Sequence, residues 1–108
     1  MNYLRIKKSS EFTKLFKRGK RVFSPTLTLI YFPSTTMSLG LALSKKHGKA
    51  VKRNRIKRLL REAFSKNSHL LKKNWSIILM PKPAEEYSYA AFEKSIVSCF
   101  KKVNSSEK

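Results

Sequence analysis

Acid is what this chain of 108 residues has least of: six glutamates and no aspartate, against 25 lysines and arginines, for a formal net charge of +19. The six, Glu11, Glu62, Glu85, Glu86, Glu93 and Glu107, are scattered, and His47 and His69 stand apart from any of them. Clustered carboxylates of the kind that hold catalytic metal ions are therefore not expected, so no catalytic residue and no metal ligand is assigned to the protein itself. A single cysteine, Cys99, excludes an internal disulfide and fits a reducing, cytoplasmic location. A long apolar run is also missing. The basic N-terminus is not followed by the apolar segment of a secretory signal, so no export is expected. Residues 24–44 carry no charged side chain, yet Pro25, Pro33 and Gly40 interrupt them, which argues against a membrane-spanning helix and leaves no expected role for a membrane.

What is present is enough apolar residue (41%) for a modest core and enough length for one domain, taken as residues 1–108, with 104–108 expected to fray. Unrelieved positive charge repels itself in a compact state and points to a large polyanionic partner. The charge is segregated. Residues 1–23 hold eight basic residues and one acid, and residues 45–66 hold ten and one, together +16 of the +19. Both blocks also contain large apolar residues in folded-looking patterns, unlike a basic tail.

Periodicity supplies the elements. Ser9 or Ser10 is expected to cap a helix over about residues 9–18, with Phe12, Leu15 and Phe16 on one face and Gly19 at its end. Thr26 to Phe32 alternates as a strand, with Leu27, Leu29 and Tyr31 on one side and Thr26, Thr28 and Ile30 on the other. A second strand follows, in which Leu39, Leu41 and Leu43 alternate with the small Gly40, Ala42 and Ser44. One sheet face is thus leucine-rich and in need of cover, and the other is smooth enough for a flat ligand to approach. Residues from about Ala50 to Ser65 place Ile56, Leu59, Leu60, Ala63 and Phe64 at helical spacing. Trp75 to Met80 reads as a buried strand, and Ser88 caps a last helix bearing Phe92, Ile96, Cys99, Phe100 and Val103. The fold class is α+β, an αβ sandwich in the order αββαβα. The strand–helix–strand unit in its middle would be right-handed by the usual rule.

Function concentrates in the long basic helix. At about 100° per residue, Asn54, Arg55, Lys57, Arg58 and Arg61 project away from the Ile56/Leu60/Ala63 stripe, and Arg53 lies at its edge. Guanidinium groups can engage two phosphate oxygens at once, and Asn54 offers both a donor and an acceptor. With one acid, Glu62, on the helix there is almost no internal charge relief, which favours a binding face over a merely solvated one.

The run Lys52-Arg53-Asn54-Arg55-Ile56-Lys57-Arg58, preceded by Leu41-Ala42-Leu43-Ser44-Lys45-Lys46 and followed by Arg61-Glu62-Ala63-Phe64, closely resembles the signature of the protein subunit of bacterial ribonuclease P. Glu11-Phe12 through Phe16 and Gly19 before it, and Ile77-Ile78 with Lys82-Pro83-Ala84 after it, extend the resemblance over nearly the whole chain. The resemblance implies a left-handed crossover, contrary to the usual rule. It also implies a subunit of an endoribonuclease that removes the 5′ leader from precursor tRNA, with catalysis and Mg2+ carried by the RNA partner and the protein alone inactive. The catalytic ribonuclease P RNA would be bound through Lys45, Lys46, Lys52, Arg53, Asn54, Arg55, Lys57, Arg58 and Arg61, and the leader through a cleft containing Phe12, Phe16, Thr28 and Ile30. The protein itself would hold no cofactor and need no obligate protein partner. A ribosomal or general RNA-binding protein without nuclease activity is the alternative.

Overall fold

The structure, a computed structural model, describes residues 3–106. In chain order it comprises β1 (Leu4–Arg5), α1 (Ser9–Arg18), β2 (Lys20–Phe23), β3 (Leu27–Pro33), β4 (Ser38–Leu41), α2 (Ala50–Asn67), β5 (Trp75–Pro81) and α3 (Tyr89–Ser106), with 3-10 turns at Lys45–His47 and Ser68–Leu70. The five strands form one mixed sheet in the order β1-β4-β5-β3-β2. β2, β3 and β5 pair antiparallel, whereas β5 pairs parallel with β4 and β4 with β1. Chain reversal between the parallel neighbours β4 and β5 needs a crossover, and α2 is that crossover.

β3 and β5 lie in the middle of the sheet and are apolar on both sides, the pattern of strands covered from above and below. On one face Leu27, Leu29, Tyr31, Leu39, Ile77 and Leu79 pack with Ile56, Leu60, Ala63 and Phe64 of α2 and with Phe92, Ile96, Cys99, Phe100 and Val103 of α3. Edge-on aromatic contacts, Tyr31 with Trp75 at 5.1 Å and Phe64 with Phe100 at 5.6 Å, fill the space between the layers. The other face carries α1 alone, over a smaller core of Ile6, Leu15, Ile30 and Ile78.

Three expectations change. The frayed end does not begin at Asn104: α3 continues to Ser106, and the Asn104 amide donates to the Leu70 carbonyl (2.8 Å) and accepts from the Lys72 N–H (3.3 Å). Residues 107 and 108 of that expected tail lie outside the described residues. Neither Ser9 nor Ser10 caps α1. Lys8 stands at the cap position without a side-chain bond, and its carbonyl receives the Glu11 and Phe12 N–H groups. Gly19 ends α1 in an extended conformation, so glycine is needed there for room: a Cβ would collide with Ile30 and sit 2.6 Å from the Leu15 carbonyl oxygen. Finally, two strands join those read from periodicity, β1 and β2, both at sheet edges and both carrying cations, Arg5 in β1 and Lys20 and Arg21 in β2.

Candidate nucleic-acid interface

The basic segment enters through a tightly specified turn. Ser44 caps the 3-10 turn, accepting from Lys46 N–H, while its own N–H donates to Nδ1 of the buried His47 at 3.0 Å. With Nδ1 accepting, the imidazole proton resides on Nε2, which donates to the Pro81 carbonyl at 2.6 Å. Gly48 follows at φ 106°, a left-handed conformation that favours glycine. His47 therefore anchors the start of the basic segment to the end of β5.

α2 itself begins against its own electrostatics. Its first turn holds Lys52 and Arg53 and no acid, although the helix dipole places partial positive charge there, an arrangement that costs about 0.3–1 kcal/mol per charge and that a bound anion would reverse. Glu62 pairs with Lys66 at 3.3 Å, away from the arginines N-terminal to it. Asn54, Arg55 and Arg58 are exposed, and Arg53, Lys57 and Arg61 are half-buried, their stems covering apolar surface. Lys45 and Lys46 are exposed on the turn ahead of the helix.

Asn54, Lys57, Arg58 and Arg61 line one concavity of about 670 Å³ together with Tyr3 and Arg5. Arg5 was not singled out from the sequence, because a strand of two residues leaves no alternation to detect. Lys52 is turned elsewhere. Its ammonium donates to the Glu85 carbonyl at 3.0 Å and lies 5.5 Å from the centre of the Tyr87 ring, holding the segment between β5 and α3. Of the predicted RNA-binding residues, it is the one whose charged group is engaged by the protein's own backbone.

The second region lies under α1. Leu15 points into the sheet. Lys14 and Phe16 then fall about 100° to either side of it. The Lys14 ammonium lies 5.3 Å from the Phe32 ring centre, so Phe16 leans toward the opposite end of β3, where Thr28 is paired with Met80. Phe12 shares that flank, its ring 6.4 Å from that of Phe16. Gly40 makes the close approach of Phe12 possible, since a Cβ there would stand 2.8 Å from the ring. On that side of the sheet Met80 and Ala42 keep partial exposure and form a floor beside the two rings, whereas Thr28, predicted for the cleft, is buried. Phe16 keeps 36% of its surface exposed. Ile30 does not belong to this floor. It is fully buried among Ile6, Leu15 and Ile78, because it sits directly below α1, and it offers no surface to a ligand. The two regions meet at β1, where Arg5, Lys7, Phe12, Lys57 and Arg61 line a common cavity of about 310 Å³.

Between α2 and α3 polar side chains serve the fold. The Asn67 amide donates to the Glu93 carboxylate at 3.0 Å and the Tyr89 hydroxyl does likewise at 3.0 Å, tying α2 to α3. The bond from Asn67, then that from Tyr89, holds the Glu93 carboxyl below its ordinary value, and burial followed by the Glu93 hydrogen bond raises the Tyr89 phenol. Burial pushes the Cys99 thiol up, as befits a side chain on the apolar stripe of α3. Among the described residues no group of three or more His, Cys, Asp or Glu side chains converges, and no helix is long and apolar enough to cross a membrane.

Comparison with known proteins agrees with this architecture. The Ribonuclease P family model matches residues 1–104. The chain is 38% identical over 102 residues to the ribonuclease P protein component of Bacillus pumilus, covering 91% of this chain and 86% of that one, and 40% identical over 101 residues to its counterpart in Listeria monocytogenes serotype 4a, covering 90% and 85%. The solved RNase P protein of Staphylococcus aureus superposes with a TM-score of 0.80 at 29% identity, over 92% of this chain and 94% of that one. That of Thermotoga maritima has the same fold, with a TM-score of 0.81 at 24% identity over 91% and 96%.

Proposed function

This chain belongs to the ribonuclease P protein family, and from that premise we propose how its surface is divided between two RNAs. The protein is the protein component of a ribonucleoprotein endoribonuclease, the enzyme that removes the 5′ leader from precursor tRNA. The outer face of α2, from Lys45 and Lys46 through Arg53, Asn54, Arg55, Lys57, Arg58 and Arg61, with Arg5 beside it, contacts the catalytic RNA. The cleft beside Phe12 and Phe16, with Met80 and Ala42 along the sheet, takes the single-stranded leader. Lys52 supports the first region through the loop it holds.

The observation that carries this division is the difference in kind between the two surfaces. Arginines without carboxylate partners suit a folded RNA's phosphates, whereas the exposed Phe16 ring beside the half-buried Phe12, with Met80 and Ala42 alongside, suits unpaired bases, which stack with little sequence demand. Among the described residues the glutamates are dispersed over α1, α2, the loop before α3, and α3, so the phosphodiester chemistry and the Mg2+ it uses are assigned to the RNA, with the protein acting on binding. A cytoplasmic location follows from the same role.

Reconstitution tests the reading. With a bacterial ribonuclease P RNA and a leader-bearing precursor at low magnesium, the protein is expected to stimulate cleavage, and Phe16→Ala to lower the preference for precursor over mature tRNA about fivefold or more while melting stays near wild type. Absence of any stimulation would overturn the assignment. A Phe16→Ala effect confined to melting temperature would place that ring in the core.

A further inference from the structure

The largest exposed apolar side chain on the α1 side of the sheet belongs to neither region described so far. Phe23, the last residue of β2, is 62% exposed. It is paired with Thr28, which is paired with Met80, and cross-strand partners project to the same side. Phe23, Thr28 and Met80 therefore form one row, which Ala42 continues beyond β4, on the face of the sheet that carries α1 with Phe12 and Phe16; Thr28 within it is buried, and Phe23, Met80 and Ala42 keep exposed surface. Arg21, two residues before Phe23 and on the same side, pairs with Ile30 and is exposed. The Lys102 ammonium reaches the Phe23 carbonyl at 3.4 Å from α3, adding a second cation at this edge.

An exposed ring at a sheet edge, flanked by cations, has the composition of a stacking site for one more unpaired base with its phosphate held alongside. Resting on the assignment of the cleft to the leader, we infer that Phe23 and Arg21 form its outer end and bind leader nucleotides distal to the cleavage site. Direction follows from topology. Ala42 leads within three residues to Lys45 and Lys46 and so to the face assigned to the catalytic RNA, whereas β2 is the opposite edge of the sheet, three strand spacings or about 14 Å from β4. Nucleotides near the cleavage site occupy the Phe12 end, and those farther out reach Phe23.

The experiment is a leader-length series with the reconstituted holoenzyme, measuring precursor affinity for wild type, Phe23→Ala, Phe23→Trp and Phe16→Ala. Phe23→Ala is expected to weaken binding of long-leader precursors about fivefold or more and to leave the shortest leaders unaffected, with Phe23→Trp retaining affinity. Phe16→Ala is expected to weaken binding at every length. Equal affinity of Phe23→Ala and wild type at all lengths overturns the inference while the cleft survives through Phe16. A uniform loss at all lengths overturns the distal placement. If Phe23 instead joins two copies of this chain, sedimentation will show a dimer that Phe23→Ala converts to monomer, which also overturns it. Loss of the Phe16→Ala effect as well would mean that the leader reading itself has failed.

Discussion

The two faces of the sheet are built to opposite specifications. Under α2 and α3 the strands present Leu27, Leu29, Tyr31, Leu39, Ile77 and Leu79 to large side chains, and the layer is sealed. Under α1 the corresponding positions are Thr28, Ile30, Gly40, Ala42, Ile78 and Met80, of which Ala42 and Met80 stay partly open. The sealed face leaves α2 free to commit its outer side entirely to charge. On the proposed reading the half-closed face would place its binding surface within the fold, between a helix and the sheet, so that one partner is held from outside by long flexible cations and the other inside a shaped cleft. The first mode should depend steeply on salt and tolerate sequence change, and the second should depend on shape and less steeply on salt.

The sharpest way to separate the two is to remove charge from one alone. Arg55→Ala with Arg58→Ala is expected to weaken binding of the catalytic RNA by about one to two orders of magnitude at low salt. It should also flatten the dependence of log affinity on log salt by about 0.7–0.9 for each phosphate no longer neutralised. Binding titrations across a salt series check this, and an unchanged slope would show that face to be merely solvated. Gly40→Ala attacks the other face without touching a charge. The added methyl must displace the Phe12 ring or the Ile6 side chain, at a cost of about 1–3 kcal/mol in stability, and precursor affinity should fall several-fold while assembly with the catalytic RNA is retained. The smallest effect concerns how the sealed face is tied together. Because the Glu93 carboxyl is held below its ordinary value in the folded state, its stabilising contribution is present above the unfolded carboxyl value and fades as pH falls through the lower folded one. Glu93→Gln should therefore lower melting slightly at neutral pH and converge with wild type in acid, as a pH series of thermal melts would show.

Much of this was legible in the sequence because it is periodic. α1 is found over the span that its Phe12/Leu15/Phe16 spacing predicts, α3 begins after Ser88, whose hydroxyl accepts from the Ala91 N–H, and the alternation put Leu27 to Tyr31 on the correct faces; Thr26, read onto the α1 side, instead lies before β3, and its hydroxyl donates to Ser95 of α3 at 2.6 Å. Facing was not the same as access. Ile30 was correctly placed on the α1 side, but whether a helix lies directly above a given row depends on the path of α1, which Gly19 and Gly40 set through contacts far apart in sequence. β1 and β2 were missed because short edge strands carry no period, and with them went Arg5 and Phe23. Lys52 enters the RNA-binding set through the family resemblance alone, and its flexible four-carbon stem turns its ammonium back onto the loop after β5.

The hydrogen bond from His47 to Pro81 joins residues 34 apart, across the whole of α2. An unfolded chain carries the same +19 and will adhere to RNA as any polycation does. Presentation of the basic segment in a fixed orientation is different in kind, because it waits for the last strand to dock and supply its carbonyl. The protein therefore makes RNA recognition conditional on completed folding: a chain truncated before Trp75 retains the charge of α2 but loses its bearing.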